Sequence, residues 1–243
     1  MSKLRVPSLQ HLARNWRPSP ERVSATLVTL ARNSPTFSYN PLFSATRDLL
    51  VFAQPYEEIV TGITRAIKRE AVRNNLLGVL PMIRDHFSGV SPDFVQSIAR
   101  RYYPVGRDLM VPFDPPMTYG VGVQLSLPWF SFWRQNPLAQ ARLSLFLTLV
   151  DEVLAQDPDL ETAHFEILDF SAPSPKEERE LKVIDPADIP RVTGAEKREM
   201  LDIFASGFRM AEEQLAKSST ETREERRSDV PPDHPDLFGG GPE

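Results

Sequence analysis

The chain has no cysteine in its 243 residues. That excludes disulfides, thiolate metal sites, iron–sulfur clusters and a cysteine nucleophile, and it suits a reducing compartment. Long apolar runs are missing as well. The densest block, LSLFLTLV at 143–150, carries Ser144 and Thr148 and falls far short of the roughly 18 residues that a bilayer span needs. The opening, MSKLRVPSLQHLARNW, has no apolar signal core; it is Arg-rich and poor in acids, which leaves an organellar targeting segment open. The expectation is a cytoplasmic protein with no membrane partner. Histidine is scarce, with four scattered residues; His164 and Glu166 share a strand face without a third ligand. GxSxG, P-loop and HExxH signatures are absent. Gly120 and Gly122 precede a strand, where a dinucleotide loop would follow one. On these grounds no catalytic residue, no metal ligand and no cofactor is assigned.

Charge, by contrast, is abundant and lopsided. Residues 1–109 hold 15 Lys and Arg against 8 Asp and Glu, a net +7; residues 110–243 hold 13 against 25, a net −12, and together these give the overall −5. All but Lys3 and Lys68 of the cations in the first stretch are Arg, whose planar fork suits phosphate and carboxylate. Either the two stretches attract each other, or the first meets an anionic partner.

Hydrophobic spacing and punctuation set the expected elements. Ser8 caps a first helix with Leu9, Leu12, Ala13 and Trp16 on one face. Ser19 caps and Pro20 opens a second, with Val23, Leu27 and Leu30 apolar. NSPTFSYNPLF (33–43) reads as a loop. A helix is expected from about Tyr56 to Asn74, with Ile59, Ile63, Ala66 and Ile67 on one side and Arg65, Lys68, Arg69 and Arg73 opposite; Glu70 falls in the apolar arc unexplained. Leu76–Phe87 follows, broken by Pro81, then a helix over Asp93–Tyr102 capped by Ser91. The prolines of LMVPFDPPMT (109–118) exclude regular structure there. Val121, Val123, Leu125 and Leu127 alternate in a half-buried strand that Pro128 ends. From Asn136-Pro137 to about Gln156 runs a helix apolar nearly all round, buried on most sides. Strands at 163–170 and 181–185 join as a hairpin. Thr193 and Glu196 form a capping box for a helix to about Lys217, with Leu201, Phe204, Phe208, Ala211 and Leu215 at helical spacing. From Ser218 the composition predicts disorder. The fold class is α+β: a basic helical part (1–108), an acidic part with a small mixed sheet in strand-helix-strand-strand-helix order (109–217), and a disordered tail (218–243).

Three functional leads follow. LARNWRPSPERVSATL (12–27) has helix-turn-helix spacing, with a small Ala13, a capping Ser19 and an anchoring Val23, although Arg17 stands where glycine is usual. Such a motif brings Arg22, Ser24, Ala25 and Thr26 to a major groove; two capped helices at a proline corner are the plainer alternative. The arc Arg65, Lys68, Arg69 and Arg73, with Arg100 and Arg101 beside Tyr102 and Tyr103, suits a phosphate backbone; a solvated face partly paired with the acidic half is its alternative. Asp169, Glu180 and Lys182 follow the order of metal-dependent nucleases, but the apolar run comes after the acid instead of before it. WFSFW (129–133) reads as core, and HPDLF (234–238) as a docking motif. The function expected first is non-enzymatic nucleic-acid association, with DNA or RNA held by Arg22, Ser24, Arg65, Lys68, Arg69, Arg73, Arg100 and Arg101. A protein–protein adaptor using the helix 194–217 and the acidic tail comes second, and a nuclease third. Oligomeric state stays open.

Overall fold

In this computed structural model, which describes residues 4–33 and 38–228, the helices are α1 (Leu9–Asn15), α2 (Pro20–Arg32), α3 (Asn40–Phe52), α4 (Tyr56–Ala66), α5 (Glu70–His86), α6 (Ala141–Leu154) and α7 (Gly194–Ser228). The strands are β1 (Phe94–Gln96), β2 (Arg101–Pro104), β3 (Met110–Phe113), β4 (Thr118–Val121), β5 (Gln124–Ser131), β6 (His164–Asp169) and β7 (Lys182–Ile184). The fold is α+β. Five strands form a mixed sheet in the order β1-β4-β5-β6-β7, and β2 pairs with β3 apart from it.

The reason lies in β5. Its side chains alternate between two faces, and its second half is apolar on both. Leu127 and Trp129 enter one core, Phe130 the other. β6 repeats the pattern, with Phe165 and Ile167 on the first side and Leu168 on the second. A sheet apolar on both faces must be covered on both. α1, α2, α6, α7 and the β2–β3 ribbon cover one; α3, α4 and α5 cover the other. Both cores draw on residues from either side of position 108. β5 and β6 are parallel, with α6 as the crossover, and β6–β7 is the expected antiparallel hairpin. α6 is buried nearly all round, from Leu143 to Leu154. The capping box forms: Thr193 N donates to Glu196 at 2.8 Å and Glu196 N to Thr193 Oγ1 at 3.2 Å.

Several expectations are corrected. The helix expected over 56–74 is two, because Ile67 is extended and closes α4. On one continuous helix the buried stripe of α4 (Ile59, Ile63) and that of α5 (Leu76, Val79, Leu80, Ile83) would stand about 130° apart. The break at 67–69 lets both lie on the same core. It also accounts for Glu70, which opens α5 as an exposed acid in the first turn. α5 then passes through Pro81 without ending. Asn40-Pro41, read as loop, starts α3. The helix expected over 93–102 is replaced by β1 and the start of β2: Phe94 pairs with Gly120, and its ring lies where a Cβ on Gly120 would be 2.3 Å away. Asp93 instead pins the β4–β5 turn, accepting from Gly122 N at 2.7 Å. The strand expected over 120–127 is a hairpin of β4 and β5. Pro128 does not end β5, since pairing with β4 stops at Ser126 while pairing with β6 continues to Ser131, so the missing amide breaks no ladder on the β4 side. Pro112 lies in β3, in a two-stranded ribbon whose outer edges tolerate proline. α7 runs to Ser228, past the end expected near Lys217. The HPDLF segment at 234–238 lies outside the described residues.

Candidate functional site

The register puts Ser131 beside Asp169 at the carboxyl ends of the two parallel strands, on the α6 side. Loops leaving that end are where open α/β sheets place ligands. Here the β5–α6 loop is held rigidly. Asp169, 2% exposed, accepts from Asn136 Nδ2 (2.9 Å), Ser171 N (3.2 Å) and Ser171 Oγ (3.0 Å). Asn136 Oδ1 in turn accepts from Leu138 N at 2.8 Å. Arg134 Nη2 ties the loop to the β6–β7 connection through the carbonyls of Pro175 (3.2 Å) and Glu177 (2.9 Å). The hydroxyl of Ser131, in the same corner, is buried with no hydrogen-bond partner among the described residues.

Between this loop and α1 opens a cleft of about 560 Å³, lined by Arg14, Trp133, Arg134, Gln135, Asn136, Pro137 and Pro175. The guanidinium of Arg14 lies 4.9 Å from the centre of the Trp133 ring, and His11 meets the same ring edge-on at 5.6 Å. At the proline corner Arg17 Nη1 donates to the carbonyls of Arg14 (2.9 Å) and Trp16 (2.7 Å). Burial, then Arg142, then Arg14 lower the pKa of Arg17. Burial lowers Arg14. His11 falls to about 4, by burial first and Arg14 second, and is neutral at pH 7. Among the described residues no carboxylate forms an ion pair with Arg14, Arg17, Arg134 or Arg142. The arrangement can bind an anion; it offers no activated nucleophile.

The residues expected from sequence are scattered by the fold. Arg22 is exposed in the first turn of α2. Ser24 is 4% exposed beside Val23 on the buried side of α2. Ala13 and Val23 are wholly buried, and the corner turns without a left-handed Arg17, since Ala53, Asp108 and Gln140 are the non-glycine residues at positive φ among the described residues. Arg65 and Lys68 are exposed, at the end of α4 and in the break after it; Arg69 precedes α5, and Arg73 donates to the Ile67 carbonyl at 3.4 Å. They share no single helix face. Arg100 is paired with Asp114 at 2.5 Å and Arg101 with Asp157, both acids of the second half. Asp169 is occupied as described. Glu180 and Lys182 pair with each other at 2.9 Å, and among the described residues no cluster of three His, Asp or Glu stands ready for a metal. Glu166 faces His86 at 3.9 Å, while His164 is exposed.

Sequence reasoning missed Arg14, Arg17, Arg134 and Arg142 as a group. Trp133 alone of WFSFW's large residues lines this cleft, its neighbours Phe130 and Phe132 being core as expected. Compared with known protein families, with curated proteins and with solved structures, the chain has no match. Among the described residues no helix is long and apolar enough to cross a membrane.

Proposed function

We propose that the chain is a non-enzymatic nucleic-acid-binding protein working in a cytoplasmic setting, and that its phosphate-contacting surface centres on the α1–α2 corner with Arg134 and Arg142 beside it. One observation carries this reading: Arg14 and Arg134 line one cleft, Arg17 adjoins it with the charges of Arg142 and Arg14 acting on it, and none of the four has a carboxylate paired to it among the described residues. Like charges held together in partly desolvated surroundings raise the energy of the empty protein, and a polyanion relieves that strain. Arg22 extends the same corner. Arg65 and Lys68, in the layer across the sheet, serve as a secondary contact.

Labelled single-stranded and duplex DNA, titrated across a salt series, tests the proposal. Affinity should fall with salt, with a log–log slope of about −0.7 per phosphate contacted on single strands. Arg142→Glu should weaken binding more than the triple reversal Arg65→Glu, Arg69→Glu, Arg73→Glu. Absence of binding at low salt, with the fold intact by circular dichroism, would sink it. The second reading, a protein–protein adaptor, has one favourable observation: α7 continues ten residues past Ser218, roughly 15 Å of helix. Its apolar stripe does not serve that role, because Leu201, Phe204, Phe208 and Ala211 are buried in the protein's own core.

A further inference from the structure

We infer that the cleft between Arg14 and Arg134 receives a terminal phosphate, the phosphomonoester at the end of a nucleotide chain, in preference to an internal diester. The inference rests on the nucleic-acid reading above and names the group recognised there.

Charge geometry carries it. An internal backbone presents one negative charge per residue, strung along the chain, and a groove that tracks it strings its cations likewise. Here the cations are concentrated at one point. Arg14 and Arg134 line one cleft; Arg17, at the adjoining corner, donates to the Arg14 carbonyl and feels the charges of Arg14 and Arg142. A monoester carries roughly −1.5 to −2 at neutral pH on a single group with three acceptor oxygens, which matches such a cluster better than a single diester charge does. The donors are available. Arg134 uses Nη2 on two carbonyls and Arg17 uses Nη1 on two, which leaves the remaining nitrogens of each forked group for a ligand. The guanidinium of Arg14 lies 4.9 Å from the centre of the Trp133 ring, so it occupies a ring face on which a base would otherwise stack. Recognition is therefore of the phosphate and not of base identity. The loop that presents Arg134 is fixed in advance by Asp169, Asn136 and Ser171, so little ordering opposes binding. Asp169, the acid nearest the loop, is 2% exposed and spends its oxygens on those three bonds.

The test uses the full chain and one short single-stranded oligonucleotide made with a 5′-phosphate, a 3′-phosphate or hydroxyl ends, measured by fluorescence anisotropy at low salt. Inorganic phosphate and a nucleoside 5′-monophosphate serve as competitors. One of the phosphorylated forms should bind about tenfold more tightly than the hydroxyl form, the worth of about one good charge-assisted hydrogen bond. The pair Arg134→Ala and Arg142→Ala should erase that preference in chains that circular dichroism shows to be folded. Should these variants unfold, the tryptophan fluorescence of the native chain, less that of Trp133→Phe, titrated with the two competitors reports the same site, and no change with either overturns the inference. Equal binding of all three oligonucleotides overturns it and leaves the nucleic-acid reading standing. Competition by the small phosphates without any oligonucleotide binding sustains the phosphomonoester site and overturns nucleic acid as its source.

Discussion

Gly207 sits mid-way along α7, where glycine is disfavoured by about 1 kcal/mol relative to alanine. Its position explains it: a Cβ there would lie 2.6 Å from the Pro20 carbonyl oxygen and 2.6 Å from Val23 Cβ. The neighbour is backbone, which cannot step aside. Gly207→Ala should therefore lower stability by about 1–3 kcal/mol, the propensity gain being smaller than the overpacking cost. Gly62, also helical, has nothing within 4 Å of its added Cβ, and Gly62→Ala should stabilise by up to about 1 kcal/mol. Urea unfolding of the two variants beside the parent measures both; a stabilising Gly207→Ala would mean that α2 and α7 do not meet as described. The same contact places Val23 wholly in the core. Its spacing from Ser19 and Ala13 was legible, but whether α2 faced a groove or another helix depended on a glycine far along the chain.

At the scale of elements, the parts with local causes were the most readable. The Thr193–Glu196 box and the β6–β7 hairpin appear where spacing put them; α6 is buried as expected but starts at Ala141, not at Asn136-Pro137, which lies in the loop before it. Thr193→Ala removes one half of the box and should cost about 1 kcal/mol, seen as a lower urea midpoint with an unchanged slope; no shift would show that packing on α2 alone holds the start of α7. Elements whose limits depend on neighbours were less readable. Pro128 reads as a terminator, yet β5 passes it because β4 has already left. Pro112 sits in a ribbon edge for a similar reason. The α4–α5 break was in principle visible, since Glu70 in the apolar arc was the trace of a phase change between two stripes.

At the scale of the molecule, the opposed charge of the two halves is partly spent inside it. Arg101 with Asp157 and Arg100 with Asp114 join one half to the other, as the plainer alternative expected, and the cations of the basic corner are among those without such a partner in the described residues. Acid should expose both terms. His11 is held at about 4 in the fold by burial and Arg14, against 6.5 when unfolded. The unfolded chain thus takes up a proton first, and stability should drop as pH falls from about 6.5 towards 4. Asp157 is held below its usual range by Arg101. Glu152, although burial raises it, is brought below its usual range by Lys197 and Tyr103. The stability those carboxylates contribute is present at neutral pH and is lost at lower pH, as they protonate. His11→Gln should flatten the upper part of this profile and spare the lower; an unaltered fall between pH 6.5 and 4 in that variant would remove His11 as its cause.

By itself the sequence determined the α+β class, the crossover of α6 between two strands, the hairpin, the Ser19 and Thr193 caps and the lack of thiol chemistry, because each follows from residues near one another in the chain. It did not determine which cations stay uncompensated. Arg14 and Arg17 precede Arg142 by about half the chain, and a charge count by halves assigns them to opposite camps. Only the packing of α1 onto α6, at the carboxyl ends of β5 and β6, brings Arg142 within reach of Arg17 and Arg14 into one cleft with Arg134, while Arg100 and Arg101 are given carboxylate partners. Electrostatic compensation is a matter of distance in space, and that distance is set by the tertiary fold.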